Sequence, residues 1–148
     1  MHLDKVQDKI IEEFEFMVDQ VKSQYRYFRH LVNVAALLPT QAAFKRTNEK
    51  LIQLTRTKVW LDAEFIDGKV YFTADSDNHI MKSLLQLYLR VFSGRTPHEI
   101  VNSNLYFTDE INLDRFLSAD RRTELSSVLQ RMRSVAAGFK VKSLKAAS

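Results

Sequence analysis

Carboxylates and imidazoles are the side chains best placed to do chemistry in this 148-residue chain, because cysteine is absent altogether. Its absence removes disulfides, thiolate metal sites and cysteine nucleophiles together. Asp75, Asp77 and His79 alternate with the oxygen and nitrogen atoms a hard-metal site would need. Only those three candidates lie close, however, and no further Asp/His spacing completes a ligand set. Capping and hairpin closure account for the two aspartates more simply, so no metal or cofactor is expected. His2, His30 and His98 are isolated from one another and read as surface residues. Glu12-Glu13 and Asp109-Glu110 read as solvated faces, since an acid/base pair would need a shared pocket. With three Gly and four His there is no phosphate-cradling loop, nucleophile elbow or His-x-x-x-His helix. Trp60, the one tryptophan, reads as sheet-face packing.

The elements that must position these residues begin as helices. Val6, Ile10, Phe14, Met17 and Val21 recur every three to four residues, and Tyr25, Phe28, Leu31, Val32, Ala35 and Leu38 do the same up to Pro39. Thr40 to Asn48 is polar and aperiodic and reads as a loop. Asp67-Gly68 then lies between two alternating runs and supplies the positive φ angles of a two-residue hairpin turn. That turn pairs Ile66 with Lys69, Phe65 with Val70, Ala63 with Phe72 and Leu61 with Ala74, leaving one face wholly apolar. The other face sets Glu64 opposite Tyr71, Asp62 opposite Thr73 and Trp60 opposite Asp75.

Ser76 or Asp77 can cap the next helix, whose inward positions are Ile80, Leu84, Leu87, Tyr88 and Val91 and which Gly94 ends. Thr96-Pro97-His98-Glu99 is a capping box with Pro at the first helical position, opening a short helix to about Asn102. Asn104 to Leu117 has no clean period. Ser118 can cap a last helix carrying Leu125, Val128, Leu129, Met132, Val135 and Phe139. The expected fold is α+β: one domain over 1–148, with a small antiparallel sheet of about three strands, including the hairpin 58–75, packed against several helices. Residues 141–148 are expected to be a loose tail.

Composition bounds the function classes. The net charge is +4, yet from Leu125 onward there are five basic residues and no acid, so residues 1–124 sum to −1. The basic end reads as a solvated helix terminus whose cations favour the negative pole of the helix dipole. No aromatic-basic interleaving or basic groove accompanies it, so nucleic acid is not an expected partner. No apolar run approaches the roughly 20 residues of a membrane span, and the acidic N-terminus lacks a signal peptide's basic start. A cytoplasmic location is expected, and oligomeric state is not legible.

Taken together, Lys58-Val59-Trp60-Leu61, the hairpin, Thr73-Ala74-Asp75-Ser76-Asp77, Lys82, Ser93 through Asn102, and Leu117-Ser118 before Arg121 resemble the SufE family of iron-sulfur assembly proteins. The resemblance runs from about Ile10 to Phe139 and implies a SufE/NifU-like fold. In that family a loop cysteine accepts sulfur as a persulfide from a pyridoxal-phosphate cysteine desulfurase, which the family also stimulates, and passes it to a scaffold. The resemblance sets the family's Gly-Cys-Gln-Ser loop on Leu54, Thr55, Arg56 and Thr57, with Thr55 at the cysteine position. A threonine hydroxyl is scarcely ionised at neutral pH and is a hard, poor nucleophile toward sulfur, so the acceptor chemistry does not carry over.

The departures continue around that position. The family's Arg-Ser-x-Gly becomes Arg121-Arg122-Thr123-Glu124, and the Gly that follows its helical Lys is Ser83. The resemblance therefore implies a non-enzymatic accessory protein that binds a cysteine desulfurase or iron-sulfur scaffold without carrying sulfur. Leu54, Thr55, Arg56, Thr57, Asp75 and Arg121 would be its contact residues. Two other readings stand beside it: a repurposed fold binding an unrelated ligand or partner, and an active sulfur-transfer subunit using a thiol from another chain.

Overall fold

Asp67 and Gly68 turn the chain with φ of 51° and 79°, the left-handed pair that joins two antiparallel strands without splaying them. The structure is a computed structural model that describes residues 2–18, 24–36 and 44–147. Its described elements are α1 (Leu3–Val18), α2 (Gln24–Ala36), β1 (Leu51–Gln53), β2 (Lys58–Ile66), β3 (Lys69–Ser76), α3 (His79–Phe92), α4 (Pro97–Val101), α5 (Phe107–Glu110), α6 (Leu113–Phe116) and α7 (Ala119–Ala147). The strands form one antiparallel sheet in the order β1-β2-β3, and with the helices they make the expected α+β arrangement. The β2–β3 register matches the sequence expectation pair for pair, from Ile66 with Lys69 to Trp60 with Asp75.

The apolar face of the hairpin buries Leu61, Val70, Phe72 and Ala74 against the helices. Phe65, at the same face, meets the Phe139 ring edge-on at 5.2 Å. Helix α3 is the centre of the core: Leu84, Leu85, Leu87, Tyr88, Val91 and Phe92 are buried, while Ile80 is only partly so. Beyond α3, Gly94 takes a φ of 81° and its N–H donates to Val70 O at 2.7 Å, while Val70 N–H donates to Arg95 O at 2.8 Å. The free edge of β3 is thereby closed at that point. The Thr96–Glu99 capping box forms in both directions, with Pro97 at the helix start.

Three expectations need correction. Ser76 and Asp77 do not cap α3; Asn78 does, its Oδ1 accepting from Met81 N–H at 2.9 Å. The two earlier residues close the open end of the hairpin instead: Ser76 Oγ donates to Lys58 O, and Asp77 Oδ1 accepts from Lys58 N–H. The inward face of α2 is Tyr27, Leu31 and Val34, whereas Tyr25 is 73% exposed. Tyr27 wins because its ring stacks on Phe116 and its hydroxyl donates to Ile111 O at 2.8 Å. His30 and Glu13 are not free surface groups either. His30 Nε2 bonds Glu13 O, and the Glu13 carboxylate holds Arg90 with contacts of 2.7 and 2.8 Å, tying α1 to α3.

Leu3, Val6, Ile10 and Phe14 form the buried stripe of α1; the side chain of Met17, and Val21, Leu38 and Pro39, lie outside the described residues. Ser118 Oγ accepts from Arg121 N–H at the start of α7, and Leu125, Val128 and Met132 are buried below it. The helix runs on to Ala147, through positions expected to form a loose tail.

Candidate functional site

The four residues 54–57 link the end of β1 to the start of β2, so their backbone has no partner strand and must bond elsewhere. Their partner is Glu124, in the second turn of α7. Its Oε2 accepts from Arg56 N–H at 3.3 Å, from Thr57 N–H at 3.0 Å and from the Thr57 hydroxyl at 2.5 Å. Glu124 and Thr57 are each 5% exposed, so this junction is dry. One turn earlier on the same helix face, Asp120 Oδ2 stands 3.3 Å from the Arg56 guanidinium in an exposed ion pair. Helix α7 thus grips the loop from inside through a carboxylate and from outside through a charge pair. Leu54 packs partly buried on the core, and Thr55 is exposed.

Arg121 lies on the same part of α7. Its Nη1 donates to Asn78 Oδ1 at 2.5 Å, the oxygen that also caps α3. Asn78 N–H in turn donates to Ser76 Oγ at 3.2 Å, and Ser76 N–H donates to Asp75 Oδ1 at 2.9 Å. A line of hydrogen bonds therefore runs from α7 through the α3 cap to the end of β3. The guanidinium of Arg121 has no carboxylate within ion-pair distance among the described residues.

Asp75 ends the line as a charge hub. Arg46 Nε lies 2.8 Å from its Oδ2 and Lys82 Nζ 3.3 Å from its Oδ1. Burial alone would raise its pKa. The hydrogen bonds from Arg46, from the Ser76 backbone and from Lys82, with the Lys82 charge, outweigh that and hold the carboxyl below its ordinary value. Arg46 also donates from Nη2 to Ser76 O at 3.2 Å and lies 4.5 Å above the Trp60 ring. Trp60 is left 9% exposed, so it is a packed sheet-face residue under an arginine lid. With Asp75 and the Asp77 oxygen so engaged, no group of three His, Asp or Glu among the described residues is placed to hold a metal ion.

The sequence-predicted residues fall into two linked groups. Arg56 and Thr57 meet α7 directly through Glu124 and Asp120, with Leu54 and Thr55 beside them on the same loop, and Asp75 joins Arg121 through Ser76 and Asn78. Glu124, Arg46 and Asn78 were missed as participants. Glu124 carried a readable signal: it falls at the helical spacing of Leu125, Val128 and Met132, on a face that must be buried, where an acid needs donors. Arg46 had none, because its partner Trp60 is brought to it only by the fold.

Chemically, the site holds hydroxyl, guanidinium and carboxylate groups fixed by hydrogen bonds. Thr55 Oγ1 is a donor and acceptor exposed to solvent, and Arg121 offers guanidinium N–H groups for a carboxylate or carbonyl. Nothing in it is a redox-active or thiolate nucleophile.

Residues 8–136 match the family model described as SufE, Fe-S metabolism associated domain. The chain is 33% identical over 138 residues to an uncharacterized SufE-like protein of Rhizobium meliloti strain 1021, covering 88% of this chain and 94% of that one. It is 29% identical over 133 residues to an uncharacterized SufE-like protein of Synechocystis, covering 90% and 81%. It is 30% identical over 103 residues to the sulfur acceptor protein CsdE of Escherichia coli K12, covering 68% and 70%.

Proposed function

The chain belongs to the SufE family, and from that membership we propose that it works in iron-sulfur cluster assembly and sulfur metabolism by docking on a cysteine desulfurase or an iron-sulfur scaffold without itself carrying sulfur. The observation that carries the reading is a retained family frame on a chain that contains no cysteine. A carrier must present a thiolate to attack the donor's sulfane sulfur, and Thr55 offers a hydroxyl.

The docking face is the surface at the first turns of α7: the loop Leu54 to Thr57, Arg121 and, through Ser76 and Asn78, Asp75. Arg121 is the anchor. Its guanidinium is fixed by Asn78 and has no carboxylate within ion-pair distance among the described residues, so a partner's carboxylate or backbone carbonyl completes it. Thr55 and Arg56, exposed at the loop, meet the partner first. The relative named a sulfur acceptor supports a desulfurase as the protein being docked on. A cytoplasmic location fits this role. No helix among the described residues is long and apolar enough to cross a membrane.

Calorimetric titration of the chain into the host's desulfurase tests the reading. Saturable binding that weakens about tenfold or more in Arg121→Ala is expected, the range for a buried interfacial arginine. No affinity for either desulfurase or scaffold would sink it. Labelled-sulfur transfer to this chain should be nil. Transfer that proceeds when a second thiol-bearing chain is added would replace it with the reading in which the thiol comes from another subunit.

A further inference from the structure

We propose that Glu124 is a positioning residue: it latches the 54–57 loop in one conformation, so that the protein offers its docking loop ready-made. The inference rests on the docking role above for its purpose and on the structure for its mechanism. Glu124 is a buried carboxylate with no ammonium or guanidinium within ion-pair distance among the described residues. A charge in that setting persists only where several donors converge on it. All three donors that converge on Oε2 come from the loop: two consecutive backbone N–H groups and one hydroxyl.

The dependence is therefore mutual. Releasing the loop strips the carboxylate of its donors in a dry junction, and removing the carboxylate leaves two loop N–H groups without a protein partner.

The loop is also held beyond the latch. Leu54 packs on the core before it, and Lys58 N–H bonds Asp77 Oδ1 after it. Only Thr55 and the Arg56 side chain face solvent between these anchors, with the Arg56 guanidinium drawn to Asp120. A loop so fixed has already lost the freedom that a mobile binding loop loses on contact, which raises affinity with no new contact. Glu124 thereby sets how well Thr55 and Arg56 meet a partner, without touching the partner.

Backbone amide exchange on the free full-length chain decides the mechanism. In the native protein the Arg56 and Thr57 amides should be protected. Glu124→Gly should speed their exchange at least about tenfold, with the β2–β3 ladder amides unchanged, because the opening is local. Glu124→Gln and Thr57→Val keep the shape of the junction and should give smaller increases at the same two amides, so the result stands if the glycine variant unfolds. Trypsin cleavage after Arg56 should accelerate in the same order.

Unprotected Arg56 and Thr57 amides in the native chain would overturn the latch. So would exchange unchanged in all three variants. Desulfurase binding is then measured on the same proteins, with an affinity loss of roughly tenfold expected in Glu124→Gly. Native affinity in a variant whose loop exchanges freely would refute the positioning role. Absence of binding by every protein would refute the docking role and leave the exchange result to decide the latch.

Discussion

Replacing Thr57 with Val is the sharpest probe of the junction between the loop and α7, because the two side chains match in shape and differ by the hydroxyl. That hydroxyl donates to the Glu124 carboxylate at 2.5 Å, with both residues 5% exposed. A hydrogen bond to a charged group contributes about 1.5–3 kcal/mol, and here water cannot replace the lost donor. The two backbone N–H groups remain, so the carboxylate is weakened and not orphaned, which keeps the loss within that range. At about 2–4 °C per kcal/mol for a domain near this size, the melting temperature should fall by about 3–12 °C. Urea unfolding should show the midpoint moving at constant slope. The control is Arg56→Ala, which removes an exposed ion pair and should cost no more than about 0.5 kcal/mol. In a cycle with Glu124→Gln, the two substitutions should couple strongly, since they share one bond. A Thr57→Val protein within about 0.5 kcal/mol of the native one, or a cycle with no coupling, would refute the reasoning that a buried charge holds this loop.

The other predictions concern the face around Trp60. Arg46→Ala removes the guanidinium lying 4.5 Å above the only tryptophan, so its fluorescence should shift to the red and become open to iodide quenching; an unchanged spectrum would show that Arg46 does not cover the ring. Asp75 has a folded pKa below its ordinary value, so its contribution to stability is present above about pH 4 and lost as pH falls through the folded value. Acid unfolding should therefore show the native protein's advantage over Asp75→Asn holding steady near neutrality and shrinking below about pH 4, whereas an advantage that grew on acidification would have the wrong sign.

Where local rules govern, the sequence could be read closely. The β2–β3 register follows from Asp67-Gly68 and from alternation, both of which act within the hairpin. The Thr96–Glu99 box and the Ser118 cap follow from residues three apart. Failures begin where tertiary partners choose among equal local options. Ser76, Asp77 and Asn78 can all cap a helix, and Asn78 does so because the strand end has already engaged the other two. Tyr25 and Tyr27 both fit a helical stripe, and only the position of Phe116 and Ile111, over eighty residues away, decides between them. The loop 54–57 was legible as a place and its residues as candidates. For its anchor, Glu124, the helical face showed a buried acid that needs donors, but which donors it finds was not legible, because Thr57 lies 67 residues away and only the fold brings the two together.

Carrying sulfur and docking make opposite demands on this loop. A carrier's thiol must move between a donor site and an acceptor site, and segments that move are drawn from the least stable parts of a fold. A docking surface gains from the reverse, since freedom given up in the free protein is not lost again on binding. The loop here meets the second demand: its backbone is bonded to a buried carboxylate, its first residue packs on the core, and its exposed Arg56 side chain is paired with Asp120. Position 124 is where the resemblance to the family sets a glycine, which has no side chain with which to hold anything. On the proposed docking role, the threonine at 55 and the glutamate at 124 act in the same direction, one offering no thiolate and the other holding the loop that would have to move. Restoring a thiol by Thr55→Cys alone changes the first and leaves the second in place.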